Sequence, residues 1–177
     1  LKTAGGYLAT SDEKGKIQNT LWVNGHLNRK VIAKDADVFA AEAGLAPEAA
    51  SAKFFMVEDQ NPGPDTPFCD EKLSLVLTIY KADNFDDAMA QTDAIMDVCG
   101  RGHSVGIHTK DMDQARTLAE TLSTVRVLVN QAHTFGNGGS FTNGLPFTLS
   151  MGCGSWAGNS ISENLNYRHF INITHLV

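Results

Sequence analysis

The sequence has no Cys-x-x-Cys pair and no cluster of cysteine and histidine at metal-ligand spacing. This excludes the usual zinc signatures, so no metal site is expected. The cysteines Cys69, Cys99 and Cys153 are odd in number and scattered, which does not fit a disulfide framework. Free thiols suit a reducing compartment, and a cytoplasmic location is expected. No apolar run approaches the roughly 20 residues that cross a bilayer, so no membrane partner is expected. Positive charge is not in excess either: the formal net charge is -6, which gives nucleic acid and anionic lipid no electrostatic hold. The chain opens at Leu1-Lys2-Thr3 without an initiator methionine or a signal peptide, and reads as a trimmed or partial chain. Also missing are a GxGxxG stretch opening a helix, a GxxxxGK loop, a Ser-His-Asp order and a paired-carboxylate signature.

What is present is the composition of a folded domain, 42% hydrophobic and 19% charged over 177 residues, enough for one domain with its own core. The middle alternates strand and helix patterns. Leu73 to Tyr80 is a mostly apolar, β-branched run expected of a strand covered on both faces. Asn84 to Cys99 then carries Phe85, Ala88, Met89, Thr92, Ile95, Met96 and Cys99 on one helical stripe. Asp83 or Asn84 can cap its start, and Gly100 and Gly102 end it. Ser104 to His108 is a second strand, Asp111 to Ser123 a second helix and Arg126 to Asn130 a third strand. This order predicts an α/β fold, a mostly parallel open twisted sheet with flanking helices.

The flanks are less regular. Ser11 to Trp22 reads as a helix, Val31 to Ala33 and Phe54 to Val57 as short strands, and Asp37 to Ala43 as a small helix between them. Asn61 to Asp65, with its Pro and Gly, reads as a loop. From His133 onward Gly, Asn, Ser and aromatics dominate, as in loops that line a site. Residues 1–168 are expected to form one domain, and His169 to Val177 a terminal strand.

Three segments could carry chemistry. Glu71, at the charged entrance to the strand from Leu73, is either a solvated strand-end charge or a carboxylate that holds ribose hydroxyls. His103, in Gly100-Arg101-Gly102-His103-Ser104, is either structural or a group that exchanges a proton near neutral pH. The run Gly152-Cys153-Gly154-Ser155-Trp156-Ala157-Gly158-Asn159-Ser160 lets backbone approach a ligand and offer N–H donors. Cys99 continues an apolar stripe and reads as core, while Cys153 has no sequence neighbour to activate it. Spacing alone supports no more than an α/β domain with a glycine-rich site.

Taken together, the Glu71-Lys72-Leu73-Ser74 segment, Gly100 to Ser104, and Gly152 to Asn164 resemble the CoA-acylating aldehyde dehydrogenases, from about Gly6 to the C-terminus. The tail, with Asn143-Gly144-Leu145-Pro146-Phe147 and Tyr167 to Asn172, is most similar to the sulfoacetaldehyde dehydrogenases. The resemblance implies an oxidoreductase that converts a short aldehyde and CoA to acyl-CoA, reducing NAD or NADP, through a thioester on a cysteine. It further implies that Glu71, with Leu73 beside it, holds the nicotinamide ribose. His103 would orient or deprotonate the CoA thiol. Gly152, Cys153, Gly154, Ser155, Trp156 and Asn159 would line the substrate or CoA pocket. Small aldehyde and CoA are the implied partners, together with further copies of the chain, since the terminal strand resembles a subunit-pairing segment.

Two departures from the family pattern matter. Leu75 stands where the family usually has proline, which restores a backbone donor without removing Glu71. The family's nucleophilic cysteine lies upstream of the part matching Gly6-Tyr7, and none of Cys69, Cys99 and Cys153 aligns with it. The chain alone is therefore expected to be inactive. The competing readings are a non-catalytic binding or assembly module that keeps the fold, and a hydrolytic aldehyde dehydrogenase, against which the Gly-Cys-Gly-Ser-Trp run and His103 argue. Arg168 is a candidate for binding a sulfonate.

Overall fold

A computed structural model describes residues 1–177. Within the span expected as one partial catalytic domain, the backbone divides into two compact units, Leu1–Cys99 and Gly100–Val177. The first unit opens with β1 (Gly6–Leu8) and α1 (Ser11–Leu21), followed by a small antiparallel pair, β2 (Trp22–Val23) and β3 (His26–Leu27). Next come α2 (Ala36–Glu42), β4 (Phe54–Glu58), β5 (Val76–Ile79) and α3 (Phe85–Cys99). Strands β1, β4 and β5 form a parallel sheet in that order, with Tyr7 opposite Phe55 and Met56 opposite Leu77. The second unit is a βαβ arrangement of β6 (Val105–Ile107), α4 (Met112–Thr121) and β7 (Val127–Val129), with β6 and β7 parallel. A short α5 (His133–Asn137) follows, and then mostly irregular chain. No helix is long and apolar enough to cross a membrane.

Local chemistry explains most boundaries. The Thr10 side chain caps α1 by accepting from the Glu13 N–H, and Glu13 returns the bond to the Thr10 N–H, closing a capping box. One turn and two turns on, Ile17 and Leu21 are fully buried. Asn84 Oδ1 accepts from the Asp87 N–H at 3.0 Å, as expected of a cap for α3. Asp111 caps α4, whose Ala115 and Leu118 are buried, as is Leu122 just beyond its end. In the first unit the core gathers Ile17, Leu21, Val31, Phe39, Phe55 and Phe68 around the parallel sheet. Each such side chain contributes about 1.5–3 kcal/mol by leaving water.

Three expectations are corrected. The strand expected from Leu73 begins only at Val76, because Leu73 has a positive φ of 46°, which no strand residue adopts. Val31–Ala33 is a turn, not a strand. Ala33 also sits at positive φ, 52°, and its N–H donates to the Leu73 carbonyl at 2.9 Å, so the two left-handed residues hold each other. The terminal strand is absent: Tyr167–Phe170 forms a 3-10 turn capped by Asn166, and residues 171–177 have no partner strand, without which no ladder forms.

Candidate functional site

Glu71 belongs to the first unit. It is exposed just before β5, with its N–H donating to Asp70 Oδ1 at 2.7 Å. Leu73 is half exposed and lines a shallow cleft with Ala33, Lys34, Asp35, Ser74 and Leu75; Glu71 does not line it. The left-handed backbone at Leu73 is strain at a position the sequence had singled out. Elsewhere in this unit a cleft of about 530 Å³ opens at the carboxyl ends of β4 and β5, where parallel sheets commonly bind ligands. Four of its charges are paired, Lys14 with Asp59 at 2.7 Å and Lys81 with Glu58 at 3.0 Å, while Asp87 accepts from the Asp83 N–H and from Gln91.

The second unit brings the other two segments together. Gly102 has φ +102°, and its N–H and carbonyl bond to the Ser123 carbonyl and the Val125 N–H. A Cβ there would run into the Cys153 carbonyl oxygen, so only glycine lets the two segments touch. Arg126, just ahead of β7 and only 4% exposed, completes the junction. Its Nη1 donates to the His103 carbonyl at 3.2 Å and to the Gly152 carbonyl at 3.0 Å, and its Nε donates to Asn164 Oδ1 at 2.8 Å. Burial pushes the Arg126 pKa down, while Cys153 acts to raise it. Asn164, fully buried, donates in turn to the carbonyls of Asn137 and Pro146.

His103 is exposed, and its Nδ1 lies 2.6 Å from Ser104 Oγ. The same oxygen is 2.8 Å from His133 Nε2 and accepts from Asn137 Nδ2 at 2.9 Å. Partial burial, and next the neighbouring His103, push the His133 pKa below its ordinary value. Nothing in the sequence marks Ser104, Arg126, His133 and Asn137 as site residues, because the contacts that bring them together join positions 23 to 38 apart with no periodic relation.

The glycine-rich run is a closed loop more than an open cradle. Asn159 Oδ1 accepts from the Cys153 N–H at 2.8 Å, and the Gly152, Gly154 and Asn159 N–H groups are taken by Glu163, Ile161 and Gly154 carbonyls. Ser155 and Trp156 begin a 3-10 turn, so their N–H groups have no partner within it. Of the expected pocket residues, Gly152 and Asn159 line a cleft of about 350 Å³, Trp156 is 52% exposed, and Cys153 is half-buried. Arg168 lies in the 3-10 turn with its guanidinium over the Tyr167 ring. All three cysteines are free; the Cys99 thiol donates to the Cys69 carbonyl, and burial and then Cys69 push its pKa up.

A βαβ unit whose buried arginine joins a histidine segment to a glycine-rich loop defines the second unit as an α/β domain. No family model matches the chain. It is 42% identical over 177 residues to the acylating sulfoacetaldehyde dehydrogenase of Cupriavidus necator, covering 99% of this chain and 36% of that protein. With the acylating sulfoacetaldehyde dehydrogenase of Bilophila wadsworthia it shares 41% identity over 180 residues, covering 98% of this chain and 38% of that one. The crystal structure of an acetylating aldehyde dehydrogenase from Geobacillus thermoglucosidasius superposes with a TM-score of 0.89 at 30% identity, covering 100% of this chain and 40% of that one. The homologues of this chain are acylating aldehyde dehydrogenases, matched over nearly the whole of it, and it spans somewhat more than a third of the length of those curated relatives.

Proposed function

We propose that this chain forms part of an enzyme that converts a short aldehyde and CoA to acyl-CoA with reduction of NAD or NADP, and that it serves the CoA half of the reaction. Sulfoacetaldehyde is the aldehyde this reading favours, on the likeness to the two sulfoacetaldehyde dehydrogenases. A cysteine thiolate adds to the aldehyde, hydride leaves, and the thiol of CoA releases the thioester. The bound nicotinamide supplies the hydride acceptor. Exposed Glu71 would hold its ribose hydroxyls, with Leu73 alongside. In this reading the nucleophile is none of Cys69, Cys99 and Cys153, since none of them aligns with the family's cysteine; the burial of Cys69 and the raised thiol pKa of Cys99 are consistent with it.

The observation that carries this reading is the tie through Arg126, which fixes the His103 and Gly152 carbonyls on one guanidinium nitrogen. It supports a site in which the loop from Gly152 to Asn159 takes CoA and His103 meets its thiol. With Nδ1 engaged by Ser104, Nε2 is the ring nitrogen available to take the proton. His103→Ala in the full-length enzyme is expected to slow acyl transfer to CoA about 100-fold while leaving the burst of reduced nicotinamide from acyl-enzyme formation intact. Single-turnover kinetics separates the two steps. Equal loss in both would overturn the role.

A second reading, an assembly module, draws on apolar side chains exposed towards the C-terminus, among them Phe141, Leu149, Ile173 and Leu176. The two are compatible if residues 171–177 become a strand by adding to a sheet edge of another copy, giving a homo-oligomer. Free thiols fit a cytoplasmic setting for this assembly.

A further inference from the structure

We propose that His133 acts through the Ser104 hydroxyl as a positioning residue that determines which nitrogen of His103 is free to take a proton. The proposal rests on the reading of His103 as acceptor of the CoA thiol proton, and extends it to a residue outside the matched segments.

The Ser104 hydroxyl has a single hydrogen and two acceptor positions. Ser104 Oγ has three partners: His103 Nδ1 at 2.6 Å, His133 Nε2 at 2.8 Å and Asn137 Nδ2 at 2.9 Å. An amide nitrogen only donates, so Asn137 occupies one of the two acceptor positions of the hydroxyl. The hydroxyl then has one hydrogen to give and one position left to accept. One histidine must receive the hydrogen and the other must donate. In one arrangement His103 Nδ1–H donates to Ser104 and Ser104 donates to His133 Nε2, which leaves His103 Nε2 bare. In the reverse arrangement His133 Nε2–H donates, Ser104 donates to His103 Nδ1, and the hydrogen of His103 sits on Nε2. Only the first can accept a thiol proton at Nε2.

The surroundings hold the pieces in place. Asn137 is buried, and its carbonyl is gripped by Asn164 Nδ2 at 2.9 Å, which is itself bonded to Arg126. The His133 ring packs on Gly106 of β6, where a Cβ would come within 3.1 Å of Nδ1. The titratable group acting on His133 is His103; Ser104 and the Gly106 backbone carry no charge. Both partial burial and that neighbour keep His133 neutral, hence able to accept, at neutral pH. Protonating His133 places a hydrogen on its Nε2, reverses the chain and removes the base, so acyl transfer is lost as pH falls. When His103 Nε2 takes the thiol proton, the thiolate keeps the electron pair.

The test is nitrogen-15 NMR of the histidine rings in the 177-residue chain, wild type against His133→Phe, His133→Gln and Ser104→Ala. At about pH 7.5, well above the ordinary histidine range, His103 is expected to carry its hydrogen on Nδ1. In His133→Phe and Ser104→Ala it should move to Nε2, the tautomer a free histidine favours, and in His133→Gln, whose carbonyl accepts, it should stay on Nδ1. Ser104→Ala gives the answer if the phenylalanine variant fails to fold. A wild-type His103 with its hydrogen on Nε2, or a tautomer indifferent to position 133 and to Ser104, would overturn the proposal. In the full-length enzyme His133→Phe is expected to slow acyl transfer about tenfold, and His133→Gln to restore most of it. If the tautomer follows His133 while His103→Ala leaves acyl transfer unchanged, the coupling stands and the base role of His103 falls.

Discussion

Glu13 shows how far a single carboxylate can be committed to the fold. Its oxygens accept from Tyr7 Oη at 2.7 Å, from the Thr10 N–H at 2.9 Å and from the Ala46 N–H at 3.4 Å. Burial raises its pKa, but the hydrogen bonds from Thr10, Tyr7 and Ala46 together outweigh it and hold the group at about 2, against an ordinary 4.5. The folded value lies below the unfolded one, so the stabilisation is fully present above about pH 4.5 and is lost as pH falls towards 2. Glu13→Gln is expected to cost about 1–3 kcal/mol at neutral pH and to flatten the decline of stability between those limits. Urea unfolding at a series of pH values measures both. Residues of this kind were legible unevenly. The Thr10-to-Glu13 spacing is a capping signature that a reader can find, whereas the reach of Glu13 to Ala46 is not. The same holds in the candidate site: Glu71 and His103 stand in motifs, but the Ser104–His133 and Ser104–Asn137 bonds span 29 and 33 positions, and no local pattern marks them.

At the scale of elements, periodicity located every helix of eight residues or more to within a few residues, because a buried stripe and its cap are both local properties. Strand ends were less legible. Leu73 to Tyr80 has strand composition throughout, and nothing in the run itself announces that Leu73 turns left-handed to meet Ala33. Gly100 and Gly102 illustrate how position decides the cost of one substitution. Both have positive φ, 97° and 102°, but a Cβ on Gly100 meets open space and one on Gly102 meets the Cys153 carbonyl. Gly100→Ala is expected to cost about 1–2 kcal/mol, from backbone strain alone. Gly102→Ala should cost about 2–4 kcal/mol, because the loop carrying Cys153 must also move. Equal costs in denaturant titrations would refute the contact.

For the molecule as a whole, the two units are built on different principles. The first has a continuous apolar core from Ile17 to Val76. In the second the buried apolar residues Ala115, Leu118, Leu122 and Leu128 are joined by buried Thr124, Arg126, Asn137 and Asn164. Composition averages over both and could not reveal the division. Nor could it foretell the tail: Ile173, Leu176 and Val177 are exposed, and the β-rich pattern there is a capacity to pair that a single chain does not satisfy. Deleting residues 171–177 from the full-length enzyme is expected to lower its molar mass in solution to that of a smaller assembly. Light scattering would show it, and an unchanged mass would count against the tail as a pairing strand.

Asn164 bonds to Arg126, to the carbonyl of Asn137 and to that of Pro146, while Arg126 reaches on to His103 and Gly152. These are points spread over some 60 residues, and from Asn137 to Asn164 the chain between them has little regular structure. No one of these loops can pay its ordering entropy alone, since each finds its partner only once the others are in place. The second unit should therefore acquire its site in a single late, all-or-none folding event. In hydrogen exchange the amides of Gly152, Gly154 and Leu165 would open together, at one common free energy, rather than fray in turn.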